Sequence, residues 1–152
     1  MNLFGLMNAT GSAMQAERMR AEIAASNMAN AETTRTDSGG PYKRERVVFA
    51  ANQPVWNFED ALRTPHSSAS LETDPPGGVH VAQVLQDSAA PSRRYDPGHP
   101  DAGQDGYVDY PDIDPLTEMV DLMGATRAYG LNSSAIQAEK EMINSALDIA
   151  KG

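Results

Sequence analysis

The sequence predicts a mainly α fold with a small β element, in which long N- and C-terminal helices pack as a coiled-coil-like inner layer and a short, turn-rich β segment forms the middle of the chain. All ten prolines lie between Pro41 and Pro115, so neither end contains the residue that most often interrupts a helix. Both ends have helical apolar periodicity, whereas the middle has short alternating runs between Gly and Pro turns. We therefore divide the chain into residues 1–36, 37–114 and 115–152.

Composition excludes several classes of protein. The 152 residues carry a net charge of -9, which argues against nucleic acid or an anionic membrane as the main partner. The chain has no cysteine, so disulfides and thiolate metal sites are excluded. No apolar run approaches the roughly 18 residues of a membrane span, and the N-terminus lacks the basic region of a Sec-type signal. We expect no membrane-spanning segment and no cleaved signal peptide.

The N-terminal helix is apolar around most of its circumference. At about 100° per residue, one broad apolar sector and a second, smaller one leave only a narrow polar strip. Such a helix needs more than one neighbour. The large apolar residues, which we take as candidate interface residues, are Leu3, Leu6, Met7, Met14, Met19, Ile23 and Met28.

The C-terminal helix is predicted from Pro115 to Ala150, with Asp114 as its N-cap and Pro115 as its first residue. Its length would be about 50 Å. Two apolar stripes suit an array of several helices, although an antiparallel hairpin of the two end segments explains the same periodicity. The candidate interface residues are Leu122, Tyr129, Leu131, Ile136, Met142, Ile143, Leu147 and Ile149.

The middle segment reads as short strands separated by turns. We predict strands over residues 42–50, 79–86, 93–95 and 106–110, and a mobile loop over residues 67–78. Strands of these lengths support no more than a small β element or hairpin.

The sequence gives little indication of a metal, cofactor or catalytic site. None of the three histidines has a second ligand at metal-binding spacing, and the acidic run after His99 lacks the EF-hand pattern of a calcium site. Turn chemistry explains the same residues, so we expect no metal and no cofactor. An enzyme would require a pocket that includes Asp96, His99 and Asp101. Because turn chemistry already explains this loop, we favour a non-enzymatic function. The acidic run consists of Asp101, Asp105, Asp109, Asp112 and Asp114.

The stretch SNMANAETTRTDSGGPYKRER, residues 26–46, marks the end of the first helix. Asn27 and Asn30 place amides in its last turns, where they could bond backbone groups of the same subunit or of a neighbour. Threonines then lead to the turn at residues 39–41. We interpret this stretch as a junction between helix and strand.

These residues resemble the bacterial flagellar axial proteins, and within them the proteins of the basal-body rod. The helix end matches the S-N-x-A-N-x-x-T motif of the family, and GGPYKRERVVF, YDPGHPDAGQDGYV and EMVDLMGATRAYGLNSSAIQAEKEMINSALDIA are similar to rod sequences. The similarity does not extend to residues 51–76, and Gly130 replaces a glutamate that is common in the family. The motif residues are Ser26, Asn27, Ala29, Asn30 and Thr33.

The resemblance implies a structural building block and no enzyme activity. Rod proteins pass unfolded through the flagellar type III export apparatus and assemble helically in the periplasm, where the rod transmits torque and encloses the export channel. The implied partners are the chain itself, other rod proteins, the basal-body membrane ring and the export-gate adaptor proteins. Before assembly, the terminal helices would be disordered or frayed. The alternative is a soluble helical adaptor or secreted effector that binds a single protein partner.

Overall fold

A computed structural model describes residues 3–52 and 77–151. These residues contain a long helix at each end and four short strands, which form two hairpins between the helices. The expected mainly α fold with a small β element is confirmed. The predicted loop at 67–78 lies almost wholly outside the described residues. The elements are α1 (Leu3–Ala29), β1 (Glu45–Ala51), β2 (Val79–Gln86), β3 (Ser92–Tyr95), β4 (Tyr107–Tyr110) and α2 (Pro115–Lys151).

The two helices pack against each other in antiparallel orientation. Asn27 of α1 contacts Glu118 of α2, and Arg20, farther back along α1, contacts Asp121, farther along α2. The fully buried apolar residues at this contact are all alanines, namely Ala16, Ala24 and Ala125. Small side chains let the helices approach closely but bury little apolar surface.

The C-terminal end of α2 extends beyond the α1–α2 contact. α2 has 37 residues and α1 has 27, which correspond to about 55 Å and about 40 Å. Every residue from 144 to 151 is exposed. We call residues 142–151 the α2 overhang, because all of them except Ile143 are exposed. Neither helix, over the part of the chain that the structure describes, is long and apolar enough to cross a membrane.

The first hairpin is attached to the middle of α1. β1 pairs antiparallel with β2, with a bulge between Val48 and Phe49. The backbone N–H of Val79 donates a 3.0 Å hydrogen bond to Oγ of Ser12 in α1. Gly78 has a φ of 108°, and a Cβ there would lie 2.3 Å from that Oγ, so glycine is required at this attachment point.

The second hairpin, β3–β4, is joined to the segment that follows α1. Val108 of β4 is only 1% exposed. In the loop between the two strands, Asp101 accepts a 2.8 Å hydrogen bond from the hydroxyl of Thr34. Both hairpins are therefore tied to α1 or to its continuation.

Four strand boundaries differ from the predicted ones, and one of them is the end of β1, which lies at Ala51 rather than residue 50. β1 begins at Glu45 rather than residue 42, because the N–H of Tyr42 donates to the carbonyl of Thr33 and closes a turn. β4 begins after Gly106, whose φ of 75° ends regular pairing. β3 gains Ser92, which pairs with Tyr110.

The start of α2 has the predicted cap. Asp114 accepts hydrogen bonds from the N–H of Leu116, at 3.1 Å, and from the hydroxyl of Thr117, at 2.7 Å. Pro115 is the first helical residue. The cap satisfies a backbone donor that has no partner within the helix.

Candidate functional site: the helix junction and the outer face of α2

The amide of Asn27 pairs with the backbone of β1. Its Nδ2 donates to the carbonyl of Glu45 at 2.8 Å, and the N–H of Glu45 donates to its Oδ1 at 2.9 Å. A side-chain amide that bonds both groups of one residue acts as a neighbouring strand would. Asn27 is only 1% exposed, so these bonds form out of contact with solvent.

The same amide also reaches α2 and the segment before β1. Nδ2 donates to Oε2 of Glu118 at 3.0 Å, and the hydroxyl of Tyr42 donates to Oδ1 at 3.2 Å. An amide has two donor hydrogens and two acceptor lone pairs, and these four bonds use them all. Asn27 thus joins α1, β1 and α2 at a single point.

Glu118 is buried, and an arginine neutralises it. Glu118 is 2% exposed, and its Oε1 accepts a 2.6 Å hydrogen bond from Nε of Arg44. Asp121 accepts a 3.0 Å bond from Arg20 and lies 3.8 Å from the Arg44 guanidinium. Arg44 therefore neutralises the buried carboxylate of Glu118, as a buried charge requires, whereas the side chains of Arg20 and Asp121 are partly exposed.

Asn30 closes the last turn of α1. Its Nδ2 donates to the carbonyl of Ser26 at 2.9 Å, and its Oδ1 accepts a 3.1 Å bond from the hydroxyl of Thr33. Ser26 Oγ also lies 3.3 Å from the hydroxyl of Tyr42, whereas Ala29 is exposed. The carbonyl of Ser26 therefore accepts from both the backbone N–H and the side-chain amide of Asn30 at the helix end. The side chains of both asparagines are engaged within one subunit.

The apolar candidates fall into two groups by exposure. In α1, Leu6 is 45% exposed and Met19 is 39% exposed, and the side chain of Leu3 lies outside the described part. In α2, five of the candidates are exposed. The half-buried candidates are Met7, Met14, Ile23 and Met28 in α1 with Leu122, Ile136 and Ile143 in α2, and the exposed ones in α2 are Tyr129, Leu131, Met142, Leu147 and Ile149.

An apolar surface at the start of α2 was not predicted from the sequence. Leu116, Met119, Val120 and Met123 are 69%, 48%, 56% and 58% exposed. Their i, i+3, i+4, i+7 spacing is the signal that could have identified them, but the two predicted stripes begin farther along the helix, at Leu122 and Ala128. We call these four residues the α2 outer face.

His99 and Asp96, in the loop between β3 and β4, make local hydrogen bonds. His99 Nδ1 accepts from the N–H of Asp101 at 3.1 Å, and Asp96 accepts from the N–H of Gly98 at 3.2 Å. These bonds are typical turn interactions. Among the described residues, no group of three or more His, Asp or Glu side chains could hold a metal ion.

The exposed ion pairs lower the pKa of two aspartates. A hydrogen bond from Arg93, at 2.7 Å, lowers the pKa of Asp105 below its ordinary value, and a hydrogen bond from Arg46 does the same for Asp87. Asp105 is exposed and Asp87 is half-buried, and ion pairs near the surface contribute little to stability. The buried hydrogen bonds around Asn27 are therefore the main polar interactions of the fold.

Comparison with known proteins identifies the family. Residues 104–149 match the family model described as "Flagellar basal body rod FlgEFG protein C-terminal". The chain is also 37% identical to the flagellar basal-body rod protein FlgC of Borreliella burgdorferi over 158 aligned residues, which cover 100% of both chains. The chain belongs to the FlgC family of flagellar basal-body rod proteins. FlgC of Bacillus subtilis is 36% identical and FlgC of Escherichia coli 33% identical, each match covering 99% of this chain and 100% of the relative.

FlgC family membership identifies the chain as a structural protein of the flagellar basal-body rod. The matched segment 104–149 begins before β4 and contains most of α2, including the α2 outer face. The full-length similarity to FlgC proteins also covers the junction around Asn27. Both parts of the site therefore lie within the region shared with the family.

Proposed function

We propose that the chain is a subunit of the proximal rod and assembles helically with copies of itself and with other rod proteins. The main support for this proposal is the similarity to FlgC over the whole chain. The exposure of α2 supports it, because one side of the helix packs on α1 while the α2 outer face and most of the α2 overhang are exposed in the described part of the chain. Helical assembly needs contacts between different surfaces of like subunits, and a long, partly bare helix supplies them.

In this proposal the terminal segments 1–36 and 115–152 form the inner layer of a tube, and residues 37–114 make the outer contacts. The tube encloses the export channel and transmits torque as a drive shaft. The junction supports this division, because Asn27, Arg44 and Glu118 connect the helices to the first hairpin through buried hydrogen bonds. A fully satisfied polar network resists relative movement of the elements that it joins.

We also propose that the chain reaches the periplasm through the flagellar type III export apparatus without a cleaved signal, and contacts the membrane ring and the export-gate adaptor proteins. Export through a narrow channel requires an unfolded chain. The alanine-rich contact between α1 and α2 supports this route. It buries little apolar surface, so the two helices of an unassembled subunit pack weakly against each other.

Fractionation of the cells tests the proposal. Antibody against the chain should label the rod of isolated basal bodies, and the chain should stay with the rod when the filament is stripped away. A helical adaptor would instead be recovered in a soluble complex with a single partner, with none in the rod. That second result would overturn the proposal.

A further inference from the structure

The first hairpin lies along α1 and is attached to it near both ends. At the junction, Asn27 bonds both backbone groups of Glu45, the first residue of β1. At the far end, the N–H of Val79, which pairs with Ala51 at the end of β1, donates to Oγ of Ser12. The rise of α1 between Ser12 and Asn27 is about 22 Å, and β1 spans about 20 Å. The strand therefore matches the spacing of its two attachment points.

The attachment at the junction is the stronger of the two. Asn27 is buried there, and Arg44, just before β1, pairs with the buried carboxylate of Glu118. At the far end, the donor Val79 and the acceptor Ser12 are both half-buried, so water can replace their bond. Such a bond contributes little, whereas breaking a buried ion pair leaves a charge without a partner. The far end of the hairpin should therefore detach first.

The strand is not packed closely on α1 between these two points. A cavity of about 330 Å³ lies between the two elements, with Ile23 of α1 and Val47 and Phe49 of β1 among its lining residues. Phe49 is 37% exposed, so its side chain buries only part of its surface. Apolar packing therefore adds little to the two attachments.

The contact at the far end is specific to a hydroxyl and a glycine. The Ser12 hydroxyl donates to the carbonyl of Ala9 at 2.8 Å, which leaves its lone pairs free to accept from Val79. Gly78 has a φ of 108°, and a Cβ there would collide with Oγ of Ser12. We call Ser12, Gly78 and Val79 the Ser12 latch.

We propose that the Ser12 latch opens in the folded subunit, so that the first hairpin swings away from α1 about the junction. Opening breaks the bond between Ser12 and Val79 and leaves the hydrogen bond from Asn27 to Glu118 intact. Local openings of this kind occur in native proteins without global unfolding. Gly78 permits the swing, because glycine adopts the left-handed conformation of the closed latch and other conformations with similar ease. The hairpin can therefore take a second position relative to the helices while both helices stay formed.

Hydrogen exchange followed by NMR tests the opening in the unmodified chain. The N–H groups of Val79 and Glu45 are matched probes, because each donates to a side-chain oxygen of α1. We expect the protection factor of Val79 to be at least about tenfold lower than that of Glu45. Equal protection of the two amides would show that both ends open together and would overturn the proposal.

Distances between spin labels test the swing itself. The chain has no cysteine, so a label at Arg18→Cys in α1 can be paired with one at Ala51→Cys, at the far end, or at Lys43→Cys, near the junction, and all three positions are exposed. Ser12→Ala removes the acceptor, and Gly78→Ala places a methyl group against the Ser12 hydroxyl. Each variant should lengthen and broaden the distance to Ala51→Cys and leave the distance to Lys43→Cys unchanged. Two unchanged distances, or the same change in both, would exclude a hinged hairpin.

Two substitutions serve as controls for the latch variants. Thr10→Ala removes another α1 hydroxyl, which bonds carbonyls of its own helix, and Gly40→Ala adds a methyl group at a positive φ where the described structure has no atom within 4 Å. Both should give the distances of the unmodified chain. A shift with either control as large as that with Ser12→Ala would mean general destabilisation and would also overturn the latch. These measurements use the unassembled subunit, so their outcome does not depend on whether the chain is part of the rod.

Discussion

Asn27 in α1 donates a 3.0 Å hydrogen bond to the buried carboxylate of Glu118 in α2, a residue 91 positions away in the chain. The same amide also bonds both backbone groups of one residue in β1. A single side chain thus connects both helices and the first hairpin. The free energy of unfolding should therefore depend more on Asn27 than on any exposed residue nearby.

Asn27→Ala should lower the free energy of unfolding by about 3 kcal/mol, because it leaves buried hydrogen-bonding groups without partners. Equilibrium unfolding in urea, followed by circular dichroism in the presence of a stabilising osmolyte, measures the change. Asn8→Ala, at an exposed position of α1, is the control and should change stability by less than about 0.5 kcal/mol. Equal effects of the two substitutions would show that the amide network contributes nothing.

Arg44→Met should cost about 3–5 kcal/mol, since it strands the buried carboxylate of Glu118. Replacing both residues, as Arg44→Met with Glu118→Met, should cost less than Arg44→Met alone, because no unpaired charge then remains. A double-mutant cycle by urea unfolding measures the coupling. Additive effects would mean that the two side chains do not interact, in conflict with their 2.6 Å contact.

The helices were predictable from sequence because they leave periodic signals. Proline-free ends and apolar spacing located α1 and α2, and Asp114 with Pro115 indicated the start of α2. The partner of Asn27 was not predictable, since a polar contact across 91 positions has no periodicity. The first boundary of β1 depended on a hydrogen bond from Tyr42 to Thr33, which strand propensity does not detect.

The first turn of α2 should weaken in acid. Hydrogen bonds from the Thr117 hydroxyl and then the Leu116 N–H lower the pKa of Asp114 below its ordinary value of 3.8. A carboxylate with a lowered folded-state pKa stabilises the fold above the unfolded-state value and loses that effect as pH falls through the folded-state value. We therefore expect full stability from Asp114 above about pH 4 and a decline below it.

A pH series of thermal unfolding checks this decline. Asp114→Asn keeps an oxygen that can cap the helix but cannot titrate, so its melting temperature should fall less steeply with acid than that of the parent. Identical slopes would exclude Asp114 as a contributor to the acid sensitivity.

The part of the α1–α2 contact that lies far from the junction should fray in the dilute monomer. Glu139 is 3% exposed, and its Oε2 has no hydrogen-bond partner among the described residues, which destabilises that region. Limited proteolysis should cut the α2 overhang first and the junction around Asn27 last. Full protection of both termini in dilute solution would contradict folding on assembly.

Deletion of the gene in its own organism, followed by electron cryotomography of the cell envelope, tests the central claim most directly. A rod subunit predicts cells in which the membrane ring is present while rod, hook and filament are missing, with restoration by the unmodified chain. A complete rod in the deletion strain would contradict the account.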